Sequence, residues 1–457
     1  QKRSFQMLTR DRSFYKTFIR LCLALMLEQA VILSVNLADN MMLGTYSEAA
    51  LAGVAAVNQV QFVYQQVVYA IANAVIVLGS QYWGQRRMDE IRNIAGVGVR
   101  FEIALAVLLF VLVSLFPQGV LRLFTKNAAF IEEGVAYLKI IRFTYIFFAL
   151  TAVMLSSMRV VETVKIALRV SVISLIVNVI INYILIGGNF GAPEMGARGA
   201  AIGTLAARIV EFVIVSVYCL RDERLGLRLK HMLGFNKTIF RDFVKISLPI
   251  LFSGLMWGVS NALQTVILGH MDDSAIAAQS ISSTIFLLLK VTAVGAASAA
   301  SVIIGKTVGE GDTPKLREYT VTLQILFVGI GLLLGLVMFA IRVPLLSIYA
   351  PEISAATYAL ANAYMIIQSV VLACTGYQMP VNTGIIRGGG DTLFIMILDM
   401  GSLFVFIPLA MLGGLVWHWP TIAVIICVNV DQLLKCIPAF IRVNSYKWVH
   451  RLTRDAA

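Results

Sequence analysis

Residues 17–43, TFIRLCLALMLEQAVILSVNLADNMML, decide the fold class of this chain. The run is apolar almost throughout, and it exceeds the about 20 residues that an α-helix needs to cross a bilayer. It also holds Glu28 and Asp39, eleven residues apart. At about 100° per residue, eleven steps return to nearly the same helix face, and Asn36 lies one turn before Asp39. The stretch predicts a membrane-spanning helix whose polar face lines a cavity rather than contacting lipid.

The composition of the whole chain is that of a polytopic membrane protein. Of its 457 residues, 59% are hydrophobic and 14% are charged, whereas soluble domains average about 25% charged residues. So much hydrophobicity excludes disorder, and five cysteines do not make a disulfide scaffold. The sequence contains neither a zinc HExxH motif nor a P-loop. We therefore predict no enzyme, no catalytic residues and no cofactor.

Apolar runs of spanning length recur along the chain and predict twelve transmembrane helices in an all-α protein. The predicted spans are residues 17–43, 51–80, 94–116, 131–157, 166–187, 197–220, 243–269, 277–304, 319–341, 354–385, 393–416 and 421–443.

The net charge of +12 is explained by the loops between these spans. Lys and Arg concentrate in the two tails and in the polar break after the sixth span, and positively charged loops stay in the cytoplasm. We therefore expect a multi-pass protein of the inner (plasma) membrane with both termini in the cytoplasm. No basic patch is interleaved with exposed aromatic residues, so nucleic acid is not expected as a partner.

The two halves of the chain are related by a weak internal repeat. Gly44 and Gly269 each follow a Leu at the end of corresponding spans, at an offset of 225 residues, and Gly84 and Gly309 share that offset. Because each copy holds six spans, the copies have the same membrane orientation, which predicts two pseudo-symmetric six-helix lobes. The predicted segments are an N-lobe (1–220), a cytoplasmic linker (221–242) and a C-lobe with a basic tail (243–457).

Polar residues within three spans form a candidate site. Asn178 and Asn182 share one face of the fifth span, and Thr204 lies in the sixth. With Asp39 they offer one carboxylate and neutral oxygens, a set that suits a hard cation such as sodium. The same residues equally fit a hydrogen-bond cluster that only holds helices together.

Several other ionisable residues lie within spans. Arg142 and Arg208 are predicted to pair with neighbouring carboxylates, because an unpaired charge in a span is costly. The sequence assigns no role to Lys290, Asp399 or Asp431.

Five stretches resemble one known family over almost the whole chain. They are Leu37–Gly44 (LADNMMLG), Asn178–Ile186 (NVIINYILI), Phe190–Gly196 (FGAPEMG), Gly199–Thr204 (GAAIGT) and Arg387–Thr392 (RGGGDT). In them the chain resembles the multidrug and toxic compound extrusion (MATE) transporters, most closely the NorM-type bacterial branch.

The resemblance implies two six-helix lobes that form a V around a central cavity. It also implies secondary active antiport, in which organic cations or amphipathic drugs leave against sodium or protons by alternating access, with antibiotic resistance as a consequence. Small-molecule drugs or metabolites and the lipid bilayer are then the partners, and we expect a monomer. The alternative is a lipid-linked precursor flippase of the same wider superfamily. Counterflow of a fluorescent cation distinguishes the two.

The resemblance also assigns residues to the cation-coupling site and to the cavity. The family's N-lobe cation site matches Asp39, Asn178, Asn182 and Thr204, which are the only residues expected to hold a metal ion, namely sodium. We further expect Glu28 and Asn36 to line the cavity and contact substrate. NorM-type members often carry acids in the seventh and tenth spans, but the corresponding spans of this chain contain none, and Gln264 takes the repeat position of Asp39.

Overall fold

A computed structural model describes residues 8–123, 127–228, 231, 234, 236–271, 273–349 and 354–454. These residues are almost entirely helical, and within them the one β-type pairing is an isolated bridge between Gly390 and Val449. A helix satisfies its own backbone donors and acceptors, which is what an apolar segment in lipid requires.

The α-helices follow one another with short connections. In chain order they are α1 (Arg12–Tyr46), α2 (Glu48–Gly84), α3 (Met88–Leu115), α4 (Pro117–Arg122), α5 (Ala128–Ile141), α6 (Thr144–Val160), α7 (Lys165–Ile186), α8 (Ala197–Arg221), α9 (Lys237–Gly269), α10 (Asp273–Glu310), α11 (Thr313–Tyr349), α12 (Ala355–Met379), α13 (Thr392–Met411), α14 (Thr421–Leu434) and α15 (Cys436–Ser445). A 3₁₀ turn (Asn189–Gly191) precedes α8, and π-helical turns extend α12 (Pro380–Ile386) and α13 (Leu412–Val416).

The number of spans agrees with the sequence prediction. Eleven helical segments of the described chain are long and apolar enough to cross a membrane, and the bent pair α5–α6 makes a twelfth. The all-helical, twelve-span architecture is therefore confirmed.

The fourth span differs in detail from its prediction as one helix. Its two halves meet at an angle of 53°, with the break between Ile141 and Thr144. The Thr144 hydroxyl donates to the Ile141 carbonyl at 2.6 Å. Such a local side-chain bond competes with the helical backbone ladder, which accounts for the bend at this point.

The chain forms two compact units, which we call the N-terminal and C-terminal units. The N-terminal unit comprises Leu27–Gly79 and Arg86–Ser247; the C-terminal unit comprises residues 8–26 and 248–454 of the described chain together with Ser80–Gln85. The long helices α1 and α2 therefore each contribute residues to both units. The segment boundaries at 220 and 242 stay a prediction.

Small residues allow helices to approach closely within each unit. In the N-terminal unit, a Cβ added at Gly53 of α2 would lie 2.7 Å from the backbone of Gly134 in α5. In the C-terminal unit, a Cβ at Gly376 of α12 would lie 2.4 Å from the Cα of Gly331 in α11. Close backbone approach of this kind drives helix association in membranes, where lipid is as apolar as the side chains.

Candidate functional site

The four residues predicted for the cation site meet in the N-terminal unit. Asp39 of α1 accepts a hydrogen bond at its Oδ1 from the Asn182 Nδ2 of α7, at 2.5 Å. Asn182 Nδ2 also donates to Asn178 Oδ1 at 3.3 Å, and Asn178 Nδ2 donates to Thr204 Oγ1 of α8 at 3.3 Å. One chain of hydrogen bonds thus joins α1, α7 and α8 at the carboxylate.

The oxygens of this cluster fit a cation or a proton. Asn178 and Asn182 are 1% and 0% exposed, so their amides meet no bulk water. Asn182 Oδ1 is buried and has no hydrogen-bond partner among the described residues. An unpaired buried oxygen beside a carboxylate costs free energy. A bound cation, or a proton with a rearranged bond network, would satisfy it.

Gly203 makes room for the cluster, and the sequence prediction missed its role. A Cβ at Gly203 would lie 2.0 Å from the Asn182 Oδ1 and 3.4 Å from the Asn178 backbone oxygen. Any larger residue would therefore push the Asn182 amide out of place. Gly203 stands directly before Thr204 in the stretch GAAIGT, so the sequence did contain a small residue beside the site. Only the packing of the helices explains why that residue must be small.

Glu28 lies elsewhere in the N-terminal unit, in a buried ion pair. Its Oε1 accepts from the Arg159 Nη2 of α6 at 2.6 Å, and the two side chains are 5% and 17% exposed. The other carboxylate oxygen and the Arg159 Nε are buried without a partner in the described part of the chain. Asn36, in contrast, is exposed on α1. The cavity role of Glu28 and Asn36 stays a prediction.

The predicted pairing of the two intramembrane arginines is right for one and wrong for the other. Arg208 Nη1 lies 2.7 Å from the Glu211 Oε2 in the same helix. Arg142 Nη1 instead donates to the Ser114 hydroxyl at 2.9 Å, and its guanidinium lies 5.2 Å from the Phe143 ring centroid. Arg142 stands at the break between α5 and α6, where α3 offers a hydroxyl rather than a carboxylate.

Lys435 pairs with Asp399 and Asp431, two acids of the C-terminal unit whose role the sequence left open. Its Nζ lies 3.1 Å from the Asp399 Oδ1 and 3.5 Å from the Asp431 Oδ2. Asp431 Oδ2 also accepts from the Ser402 hydroxyl at 3.0 Å and from the Gln432 Nε2 at 2.7 Å. A resident ammonium therefore occupies the place that a mobile cation would take between these carboxylates.

Comparison with known proteins decides the family. A family profile described as MatE matches residues 24–184 and 249–412, the greater part of the chain. The chain belongs to the MatE family. It is thus a membrane transporter and not an enzyme, as predicted, and MATE transporters need no cofactor.

Curated relatives of this MatE-family transporter match over most of their length. The uncharacterized transporter YisQ of Bacillus subtilis is 23% identical over 449 residues, 96% of each chain. The probable multidrug resistance protein NorM of Thermotoga maritima is 25% identical over 395 residues, 85% of this chain and 83% of that one. The chain is therefore a NorM-like transporter.

Solved transporter structures share the fold. A MOP superfamily transporter from Pyrococcus furiosus has a TM-score of 0.84 at 17% identity, over 96% of this chain and 98% of that chain. A MATE structure in complex with MaL6 has a TM-score of 0.83 at 18% identity, over 97% and 99%. At these identities the likeness is one of fold alone.

Proposed function

We propose that this transporter exports organic cations and amphipathic drugs by antiport, with sodium or protons as the coupling ion and alternating access as the mechanism. The relatives named as probable multidrug resistance proteins support export of small molecules. We also propose that the chain works as a monomer in the inner membrane, with both termini and the linker 221–242 in the cytoplasm.

The hydrogen-bonded cluster at Asp39 carries the coupling part of the proposal. A charged carboxylate in a membrane-spanning helix is costly, and binding of a proton or a sodium ion removes its charge. The Asn182 amide donates to Asp39 at 2.5 Å, and the Asn182 Oδ1, which has no hydrogen-bond partner in the described part of the chain, supplies a further neutral oxygen. Occupancy of Asp39 therefore changes the charge inside the unit, which is what a ligand needs in order to favour one of two conformations.

We assign coupling to the N-terminal unit alone. In the C-terminal unit, Asp399 and Asp431 are both engaged by Lys435. A lysine ammonium is covalently tethered, so it cannot dissociate and carry a gradient across the membrane. We place the coupling ion at Asp39 because this carboxylate is hydrogen-bonded to a cluster of neutral polar side chains rather than to a resident cation.

Flux into proteoliposomes tests the proposed function. The purified chain is reconstituted, and uptake of tetramethylrhodamine methyl ester, a fluorescent cation, is followed under a sodium gradient, under a proton gradient, and under neither. One of the two gradients should drive accumulation, and counterflow of the dye should occur without any gradient. Absence of both accumulation and counterflow would contradict export of organic cations and favour the lipid-linked flippase.

A further inference from the structure

Lys290 is a charged side chain that the proposed coupling site does not use. It stands near the middle of α10, and its Nζ lies 4.9 Å from the ring centroid of Trp257 on α9 and 5.9 Å from that of Phe286. Among the described residues it forms no ion pair with a carboxylate. An ionisable residue at mid-membrane depth is costly to keep and marks a functional site by default.

Asp399 and Asp431 of the C-terminal unit pair with Lys435 and not with this ammonium. The Lys435 ammonium disfavours the charge of Lys290, and the Asp431 carboxylate favours it. Asp431 Oδ2 already accepts from Ser402 and Gln432 and faces Lys435 at 3.5 Å. Lys290 can therefore pair with a further negative charge.

One face of α9, the face that carries Trp257, has polar residues. Trp257 is 40% exposed, and Ser260, Asn261 and Gln264 follow it at the three- and four-residue spacing that places residues on one helix face. Asn261 is exposed, and Lys290 itself is partly exposed. The Asn261 Nδ2 donates to the Trp257 carbonyl at 3.0 Å, and polar side chains with an ammonium nearby suit a ligand better than acyl chains do.

We propose that Lys290 and Trp257 form a subsite for the anionic group of an aromatic substrate. The carboxylate of the substrate pairs with the Lys290 Nζ, and the substrate ring packs on the exposed indole, which offers a large flat surface. The substrates then include aromatic zwitterions and acids beside simple organic cations. This inference rests on the proposed function and narrows its substrate class.

A matched dye pair tests the subsite. Tetramethylrhodamine is a zwitterion with a free benzoate, and its methyl ester is the same ring system without the carboxylate charge. In proteoliposomes, Lys290→Met should lower the transport of the zwitterion relative to the ester by about tenfold, the effect of one charge-assisted hydrogen bond. Lys290→Arg should largely restore the ratio. Lys315→Met is the control and should leave the ratio unchanged, because Lys315 lies outside the predicted spans and pairs with Glu310 at 2.9 Å.

Measuring the binding of the two dyes to the wild-type protein makes the test independent of how the variants fold. In detergent, the zwitterion should bind about tenfold more tightly than the ester by fluorescence polarisation. Equal or weaker binding of the zwitterion would overturn the subsite. So would a lowered melting temperature of Lys290→Met with an unchanged dye ratio, which would assign Lys290 to charge balance with Asp431. If the wild-type protein moves neither dye, the proposed function itself fails.

Discussion

Replacing Asp39 with asparagine removes one negative charge and keeps the size of the side chain. The new amide oxygen can still accept from the Asn182 Nδ2, which in the wild-type protein lies 2.5 Å from the carboxylate oxygen. The hydrogen-bond chain to Asn178 and Thr204 should therefore persist. What disappears is the group that takes up a proton or a sodium ion.

The expected effect on stability is small. A hydrogen bond to a charged group contributes about 1.5–3 kcal/mol and a neutral one about 0.5–1.5 kcal/mol, so the exchange costs about 1 kcal/mol. Relief from burying the charge acts in the opposite direction. The free energy of unfolding of Asp39→Asn should thus stay within about 2 kcal/mol of the wild-type value, and the variant should insert and bind substrate.

The expected effect on transport is large. A tenfold ion gradient supplies about 1.4 kcal/mol per ion, which sustains about tenfold accumulation of substrate at one-to-one coupling. Without a coupling ion at Asp39, the conformational equilibrium no longer responds to the gradient. The accumulation ratio of Asp39→Asn should therefore fall to about one.

Gradient-driven uptake of the methyl ester dye in proteoliposomes measures this ratio, with dye binding and melting temperature measured in parallel. Asp399→Asn is the matched control, since Asp399 pairs with Lys435 at 3.1 Å; it should leave measurable accumulation, as should Asp431→Asn. Full gradient-driven transport by Asp39→Asn, or loss confined to the Asp399 variant, would refute coupling at Asp39.

Three further predictions follow from the same contacts. Gly203→Ala should lower the free energy of unfolding by about 1–3 kcal/mol through overpacking, which a lower melting temperature would report. Gly329→Ala should have no such effect, because an added Cβ there meets nothing within 4 Å. Equal effects of the two variants would contradict the requirement for a small residue at position 203. Glu28→Gln should destabilise by about 3–5 kcal/mol, because Arg159 is left as an uncompensated buried charge, and the double variant with Arg159→Gln should recover part of the loss. A single cysteine at Asn236 in a cysteine-free background should react with an impermeant thiol reagent only after the cytoplasmic side is opened; labelling in intact cells would reverse the proposed topology.

The sequence by itself determined the fold class, the number of spans and the members of the candidate cation site. Span length and apolarity are local properties, so composition and run length predict them. The placement of Asn178 and Asn182 on one face follows from helical periodicity alone. The residues left open whether Asn178 and Asn182 form a cation site with Asp39 and Thr204 or only a hydrogen-bond cluster between helices, and the family resemblance favoured the cation site.

Only the tertiary structure decided which charges meet. Glu28 finds Arg159, and Lys435 inserts between Asp399 and Asp431. The first pair is 131 residues apart, and no periodicity relates positions on different helices. Such pairings depend on the depth and rotation of each helix against its neighbours, which close packing sets through small residues such as Gly203. The sequence holds those residues, but their effect appears only when the helices are packed.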